Sequence, residues 1–173
     1  MRAVKLFIAC SLDGFIARKD NCVDWLFHDT DYGMSAFYKT VDTVLIGRKT
    51  YDLMVRLGLP YYKGKTNYVF SRTRTGVEGE GIHYVSSDIG EFVESLRQRK
   101  GKDIWLVGGS VLIDSFLKRH LIDEIILAVH PVILGKGIPL FRGGVAQTDL
   151  TLQKCVEYES GLVQLWYRRK AQS

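Results

Sequence analysis

The fold is decided by residues 104–117, which have the sequence IWLVGGSVLIDSFL. Its first four residues are all apolar, which is typical of a strand in the middle of a parallel sheet, where both faces are covered. The pair Gly108-Gly109 follows directly, and a helix is predicted from there through Leu117. A buried strand that turns through glycine into a helix is the repeating unit of α/β proteins.

Apolar spacing elsewhere in the chain predicts further strands that alternate with helices. Ser87 is the predicted cap of the helix before residue 104, and Ser160-Gly161 is the predicted turn of a C-terminal hairpin. We therefore predict one α/β domain, residues 1–173, with a mostly parallel sheet and an antiparallel C-terminal edge hairpin. The predicted strands are residues 3–9, 43–46, 67–70, 82–85, 104–107, 124–129, 150–158 and 163–169. Helices are predicted at residues 31–39 and 50–57, a third helix begins after Ser87, and a fourth ends at Leu117.

Length and composition exclude several classes of protein. The chain has 173 residues, of which 46% are hydrophobic and 25% charged. This balance is typical of a globular protein and excludes a disordered, collagen-like or coiled-coil chain. No apolar run approaches the ~20 residues that span a bilayer, and the N-terminus lacks the pattern of a secretory signal. We therefore expect a cytoplasmic protein with no membrane partner.

The cysteines and histidines do not suggest a metal centre. Cys10, Cys22 and Cys155 follow no ligand spacing, and the four histidines are scattered along the chain. An odd number of cysteines cannot all pair, so we expect reduced thiols and no bound metal.

The net charge of +5 includes three basic clusters, residues 72–74, 97–100 and 168–170. Runs of this kind are usually solvated faces, so we do not expect a nucleic-acid partner. A modest positive balance also suits an enzyme whose small-molecule ligands carry phosphates.

Three predicted strands end in residues that suit a phosphate. Open α/β sheets bind ligands at the carboxyl ends of their strands, and a helix N-terminus offers unpaired N–H groups to an anion. The alternatives are an ordinary basic turn for Gly47-Arg48-Lys49-Thr50 and tight helix–sheet packing for Gly108-Gly109. Neither GxGxxG nor GxxxxGK[ST] occurs, so no Rossmann dinucleotide site or P-loop is indicated. The three ends are Gly47-Arg48-Lys49-Thr50, Ser71-Arg72 and Gly108-Gly109-Ser110.

Five motifs in order along the chain carry a family resemblance: ACSLDGFIA (9–17), VLIGRKT (44–50), VFSR (69–72), VGGS (107–110) and LIDEIILAVHPVILGKGIPLF (121–141). Together they resemble the dihydrofolate reductase-like superfamily, and most of all the C-terminal reductase domain of the bifunctional riboflavin-biosynthesis deaminase/reductase and its stand-alone relatives. The resemblance implies a central, mostly parallel eight-stranded sheet with flanking helices. It also implies NADPH as cofactor, a small-molecule substrate and a homodimer.

The resemblance also implies which residues hold the cofactor. Ala9 would lie at the nicotinamide carboxamide, with Ile16 and Ala17 in a mobile loop that closes over the ring. Phe70 would pack near the adenine, and Ser71 and Arg72 would add to the adenosine phosphate site. The diphosphate and the 2′-phosphate would be held by Gly47, Arg48, Lys49 and Thr50. The diphosphate would also be received at the helix start by Gly108, Gly109, Ser110, Val111 and Leu112.

The substrate end departs from the folate reductase pattern. Gly33 occupies the position of the carboxylate that binds the pterin, and Ala128 the position of its supporting hydroxyl residue. Asp13 or Asp31 is then the carboxylate expected near the substrate, orienting it or relaying a proton. The alternatives are a turn-forming Asp13 before glycine and an N-cap role for Asp31.

The function expected from these residues is an NADPH-dependent reductase of the 5-amino-6-(5-phosphoribosylamino)uracil reductase type. The alternatives are a dihydrofolate reductase and a non-catalytic nucleotide-binding protein.

Overall fold

A computed structural model describes residues 1–59, 62–79 and 81–170. Within these ranges the chain alternates strands and helices, much as its apolar pattern predicts. In chain order the elements are β1 Val4–Ser11, β2 Phe15–Ala17, α1 Met34–Thr40, β3 Val41–Gly47, α2 Arg48–Arg56, β4 Thr66–Phe70, β5 Gly76–Glu78, β6 Ile82–Val85, α3 Ile89–Gln98, β7 Asp103–Gly108, α4 Ser110–Lys118, β8 Glu124–His130, β9 Ile138–Pro139, β10 Leu150–Glu157 and β11 Val163–Arg169.

In the described ranges the main sheet has nine strands, in the order β10-β11-β8-β1-β7-β3-β4-β6-β5. The six strands from β8 to β6 in this order are parallel to one another. Strands β11 and β10 at one edge and β5 at the other are antiparallel. The predicted α/β class, mostly parallel sheet and C-terminal edge hairpin are confirmed. The count of eight strands is one short, because β5 consists of three exposed residues without an apolar pattern.

Strand β7 is buried on both faces, as its apolar run predicts. Ile104 and Leu106 pack in a cluster with Phe116 of α4. Trp105 points to the other side, where its ring centroid lies 5.5 Å from that of Phe37 on α1. Helices α3 and α4 therefore cover one face of the sheet, and α1 and α2 contribute to the core on the other.

Two helices begin later than the sequence predicts. Ser87 is not the cap of α3, because Asp88 holds that position. One of its carboxylate oxygens accepts from the N–H groups of Gly90 and Glu91, at 2.8 and 3.1 Å. Helix α1 begins at Met34, and its N-cap is Gly33, whose φ is 76°. Asp31 is therefore not the N-cap, although its carboxylate accepts from the Ser35 N–H and hydroxyl at the start of the helix.

Candidate functional site

The carboxyl ends of five neighbouring parallel strands bring the predicted motifs to one edge of the sheet. Strands β8 and β1 continue past their predicted ends, so this edge begins with residues of both. An edge of this kind is where open α/β sheets bind ligands. In sheet order the five strands end at His130, Ser11, Gly108, Gly47 and Phe70.

The turn after β3 and the turn after β7 lie against each other. A Cβ on Gly47 would be 3.3 Å from the Gly108 carbonyl oxygen, and a Cβ on Gly109 would be 2.7 Å from Thr50 Oγ1. The Gly109 N–H donates to that Thr50 hydroxyl at 2.9 Å. Gly108 has a φ of 115°, a conformation that favours glycine. Close packing therefore accounts for glycine at these three positions, and phosphate binding there stays a prediction.

Two helix N-termini meet at these turns. Helix α2 begins directly after Gly47 and α4 directly after Gly109, and neither glycine supplies a side-chain cap. The N–H groups of a helix's first turn have no partner inside the helix, and the helix dipole makes this end attractive to an anion. The two turns thus place two uncapped N-termini side by side.

The first turn of α4 is mostly turned inward. Ser110 and Leu112 are buried, whereas Val111 is 58% exposed. The Ser110 hydroxyl accepts a hydrogen bond of 3.3 Å from the guanidinium of Arg142. Arg142 thus brings a cation to the start of α4 that the strand-end motifs do not include.

A cluster of cations surrounds the start of α2. The carboxylate of Asp52 accepts from Arg48 at 2.9 Å and from Arg74 at 2.7 Å. Lys49 and Arg72 are exposed, and neither forms an ion pair in the part of the chain that the structure describes. The motifs predicted Arg48, Lys49 and Arg72 but missed Asp52 and Arg74. The spacing of four residues between Arg48 and Asp52 on a helix is the signal that predicts their pairing.

The other two residues predicted for the adenosine end turn toward the protein. Phe70 packs edge-on against the rings of Phe92 and Phe116, at centroid distances of 5.7 and 5.9 Å. Ser71 is buried, and its hydroxyl accepts from the N–H groups of Thr73 and Arg74. Both residues therefore shape the end of β4 and the turn that carries Arg72 and Arg74.

Asp13 joins the loop after β1 to the loop after β8. Its exposed carboxylate accepts from the Ser11 hydroxyl at 2.6 Å and from the N–H groups of Leu134 and Gly135 at 3.1 and 2.7 Å. These bonds hold the pKa of Asp13 below its ordinary value, and the bond from Ser11 has the largest effect. The turn-forming alternative is therefore realised in the structure, and a role in chemistry stays a prediction.

Strands β2 and β9 pair with each other and fix the same two loops. Phe15 lies opposite Pro139 and Ala17 opposite Ile138. A Cβ on Gly137 would collide with the Ala17 carbonyl oxygen. The segment that carries Ile16, predicted as a mobile loop, is thus paired with a second strand. Ala9 lies beside it on β1 and is in register with Ala128 of β8.

His130, at the end of β8, is a buried residue at this edge to which the sequence analysis assigns no role. Its ring lies between Trp25 and Phe27, with centroids 5.1 and 4.9 Å away. The Phe27 N–H donates to Nε2 at 3.2 Å, so Nδ1 carries the proton and donates to the Ala128 carbonyl oxygen at 3.1 Å. Burial lowers the pKa of His130, so the ring is neutral at pH 7. The buried Trp25 indole N–H has no partner among the described residues.

Neither a metal cluster nor a membrane span is found in residues 1–59, 62–79 and 81–170. No group of three histidine, cysteine, aspartate or glutamate side chains in these ranges could hold a metal ion. No helix in them is long and apolar enough to cross a bilayer.

Two proteins of known sequence are similar to this chain, one over nearly its whole length and the other over two thirds of it. YwjB of Bacillus subtilis (strain 168), whose function is uncharacterised, is 41% identical over 172 residues, which cover 97% of this chain and 98% of YwjB. The dihydrofolate reductase of Ureaplasma parvum serovar 3 is 30% identical over 116 residues, which cover 66% of this chain and 67% of that enzyme.

Two crystal structures share the fold. A protein of Shewanella sp. PV-4, provisionally assigned to riboflavin biosynthesis, superimposes with a TM-score of 0.87 at 31% identity, over 98% of this chain and 99% of that one. The diaminohydroxyphosphoribosylaminopyrimidine deaminase/5-amino-6-(5-phosphoribosylamino)uracil reductase of Thermotoga maritima gives a TM-score of 0.76 at 18% identity, over 98% of this chain and 57% of that one. A sequence model of the RibD C-terminal domain matches residues 66–164, more than half of the chain. The chain therefore belongs to the RibD C-terminal domain family.

Proposed function

We propose that this chain is an NADPH-dependent reductase that transfers a hydride to a small heterocyclic or ribosylamino-pyrimidine substrate. Its reaction would be of the 5-amino-6-(5-phosphoribosylamino)uracil reductase type. The observation that carries this proposal is the meeting of two uncapped helix N-termini with a cation cluster at the carboxyl edge of the parallel sheet. Membership of the RibD C-terminal domain family supports the same class of reaction.

The residues at this edge fit a dinucleotide with an extra phosphate. Arg48 and Arg74 share one carboxylate, Asp52, and Lys49 and Arg72 are exposed cations next along the chain to Arg48 and near Arg74. The excess of positive charge suits the 2′-phosphate, which NADPH carries and NADH lacks. The N–H groups that follow the two glycine turns would hold the diphosphate. When bound, NADPH supplies the hydride from its nicotinamide ring.

The nicotinamide end of the site would lie over β1. Ala9 has a small side chain there and lies next to Ala128 on the neighbouring strand, so neither side chain would keep a flat ring away from the sheet. Ile16 and Ala17, in the segment paired with β9, would cover the ring and exclude water.

Asp13 and Asp31 are the two carboxylates proposed to serve the substrate. Because its hydrogen bonds lower the pKa of Asp13, this group is charged at neutral pH and would orient the substrate, not store a proton. Asp31 bonds to Ser35 at the start of α1 and is the second candidate. Changing each to Asn separates them: loss of turnover with cofactor binding retained identifies the participant, and full activity of both variants refutes this assignment.

The cofactor is tested by titrating the protein with NADPH and NADH while following the fluorescence of its tryptophans. We expect micromolar binding of NADPH and weaker binding of NADH. Lys49→Ala removes an exposed cation that forms no ion pair in the described ranges, so it should cost a charge-assisted bond of about 1.5–3 kcal/mol and weaken NADPH binding about tenfold or more. Arg56→Ala, at the exposed far end of α2, is the matched control and should leave binding unchanged. Failure to bind either nucleotide would refute the reductase; binding without turnover of any pyrimidine substrate would favour a non-catalytic nucleotide-binding protein.

A dihydrofolate reductase is the second candidate, favoured by the 30% identity to the Ureaplasma parvum enzyme. The residues at the substrate end argue against a dihydrofolate reductase. Gly33, at the N-cap of α1, brings no carboxylate to the position expected for the pterin ligand, and Ala128 brings no hydroxyl. Tight binding of an antifolate, together with turnover of dihydrofolate, would establish this alternative; turnover of the ribosylamino-pyrimidine alone would exclude it.

A further inference from the structure

A cavity lies at the end of the sheet opposite the candidate site. It has a volume of about 500 Å³ and opens between the start of β3, the start of β4 and the end of α3. Thr43 lines it, whereas Gly47, four residues along the same strand, belongs to the cofactor edge. Four residues of strand span about 13 Å, so the two sites are separate. The volume is in the range of pockets that hold small molecules.

The wall of this cavity carries more cations than acids. Among its described lining residues are Arg2, Lys65, Arg99 and Lys100, and a single acid, Asp42. The buried Arg2 already pairs with Asp42, so these two charges neutralise each other. Arg2 also donates to Thr43 Oγ1 at 2.6 Å, which ties the pair into the protein. The other three cations therefore face the cavity with no carboxylate partner in the described ranges.

Of the three cations without a carboxylate partner, Lys65 is the one that makes the most contacts with the protein. Its ammonium donates to the carbonyl oxygens of Tyr38 and Val41 at 2.8 and 2.7 Å and lies 4.1 Å from the centre of the Tyr38 ring. Burial lowers the pKa of Lys65 and the nearby Lys102 ammonium lowers it further, against a smaller opposing effect of Asp42. The ammonium is thus oriented by neutral groups and forms no ion pair in the described ranges.

Arg99 and Lys100 are the adjustable cations at the rim. Both follow the end of α3 and are exposed. The Arg99 guanidinium donates to the Tyr68 hydroxyl at 3.2 Å, which holds it beside the opening. A guanidinium can bind two oxygens of one phosphate, whereas a lysine acts as a point charge. The rim and the wall together offer both kinds of phosphate ligand.

We propose that this cavity binds a phosphorylated small molecule with at least two negative charges. Lys65 would meet the anion inside, and Arg99 and Lys100 would close on it from the rim. The proposal gives a role to Arg99 and Lys100, two cations of the basic cluster at residues 97–100 that the reductase site does not use. It is independent of the proposed reductase function, because no residue of the cofactor edge takes part.

Inorganic pyrophosphate is the probe that tests the proposal, followed by calorimetry and by the amide NMR spectrum of the full chain. We expect millimolar or tighter binding, with the largest shifts at residues 64–68 and 99–101. The double variant Arg99→Ala/Lys100→Ala should weaken this binding about tenfold or more. Both changes are at exposed positions, so the fold should be unaffected.

A matched control separates a built site from bulk charge. Lys118→Ala/Arg119→Ala removes the corresponding pair of cations at the end of α4 and should leave pyrophosphate binding within about twofold. The proposal would be overturned by equal losses of pyrophosphate affinity in the two double variants, or by no binding at all. It would also be overturned by amide shifts confined to residues 47–50, 71–72 and 108–112. A DNA or RNA duplex that binds more tightly than pyrophosphate through Arg99 and Lys100 would also overturn it, in favour of a nucleic-acid surface.

Discussion

Gly109→Ala tests whether close packing is what requires glycine between β7 and α4. The φ of Gly109 is −69°, a value that alanine also adopts, so a positive φ is not what requires glycine here. That methyl carbon would lie 2.7 Å from Thr50 Oγ1, well inside contact distance. Overpacking of this kind costs about 1–3 kcal/mol. For a chain of this size each kcal/mol lowers the Tm by about 2–4 °C, which calorimetry or circular dichroism resolves.

The double-mutant cycle with Thr50→Ala shows whether the clash is the cause. Thr50→Ala alone removes the acceptor of the Gly109 N–H and should cost about 1–3 kcal/mol. In the double variant the new methyl group has room, so the loss should fall short of the sum of the two single losses by about 1 kcal/mol or more. Unchanged stability of Gly109→Ala, or strict additivity, would refute the packing explanation. NADPH binding that is retained in Thr50→Ala but lost in a double variant of near-native stability would show that a phosphate also needs the glycine.

Three further predictions follow from the site and the sheet. Burial lowers the pKa of His130 below the unfolded value of about 6.5. Its neutral form therefore stabilises the fold fully above that pH, and this contribution is lost as the pH falls toward the folded pKa. His130→Gln should therefore flatten the dependence of the urea midpoint on pH below about 6.5, and an unaltered slope would contradict the assignment. The lowered pKa of Asp13 gives stability that is present above its unfolded pKa and is lost as the pH falls through the folded value. Asp13→Asn should accordingly speed amide exchange at Leu134 and Gly135 at pH 7 more than at pH 3, and equal protection at both would refute the link. Light scattering should give twice the 19.7 kDa of one chain, as expected for a homodimer, and a monomer at micromolar concentration would exclude it.

The sequence predicts the central elements well because their signals are local. The apolar run in β7 and the glycine pair after it lie within a few residues of one another, and burial on both faces of the sheet follows from that run. Strand ends that carry glycine could be grouped at one edge because parallel strands all point the same way.

The elements missed by sequence analysis depend on contacts between distant parts of the chain. Strands β2 and β9 have three and two residues, and more than 120 residues separate them, so no local pattern indicates their pairing. Arg142 reaches Ser110 across 32 residues, and Asp13 reaches Gly135 across 122. Ser87 and Asp88 are both good caps, and only the position of the helix decides between them.

The GRKT motif at residues 47–50 divides into residues that hold the fold and residues that remain available to a ligand. Thr50 accepts the Gly109 N–H, and Arg48 is bound to Asp52, so a change at either alters the structure as well as any phosphate contact. Lys49 is exposed and forms no ion pair in the described ranges, so its loss would report on ligand binding directly. A phosphate that approaches Arg48 must share it with the Asp52 carboxylate, whereas one that approaches Lys49 has no such competitor. Cofactor affinity and stability are therefore coupled at Thr50 and Arg48 and separable at Lys49.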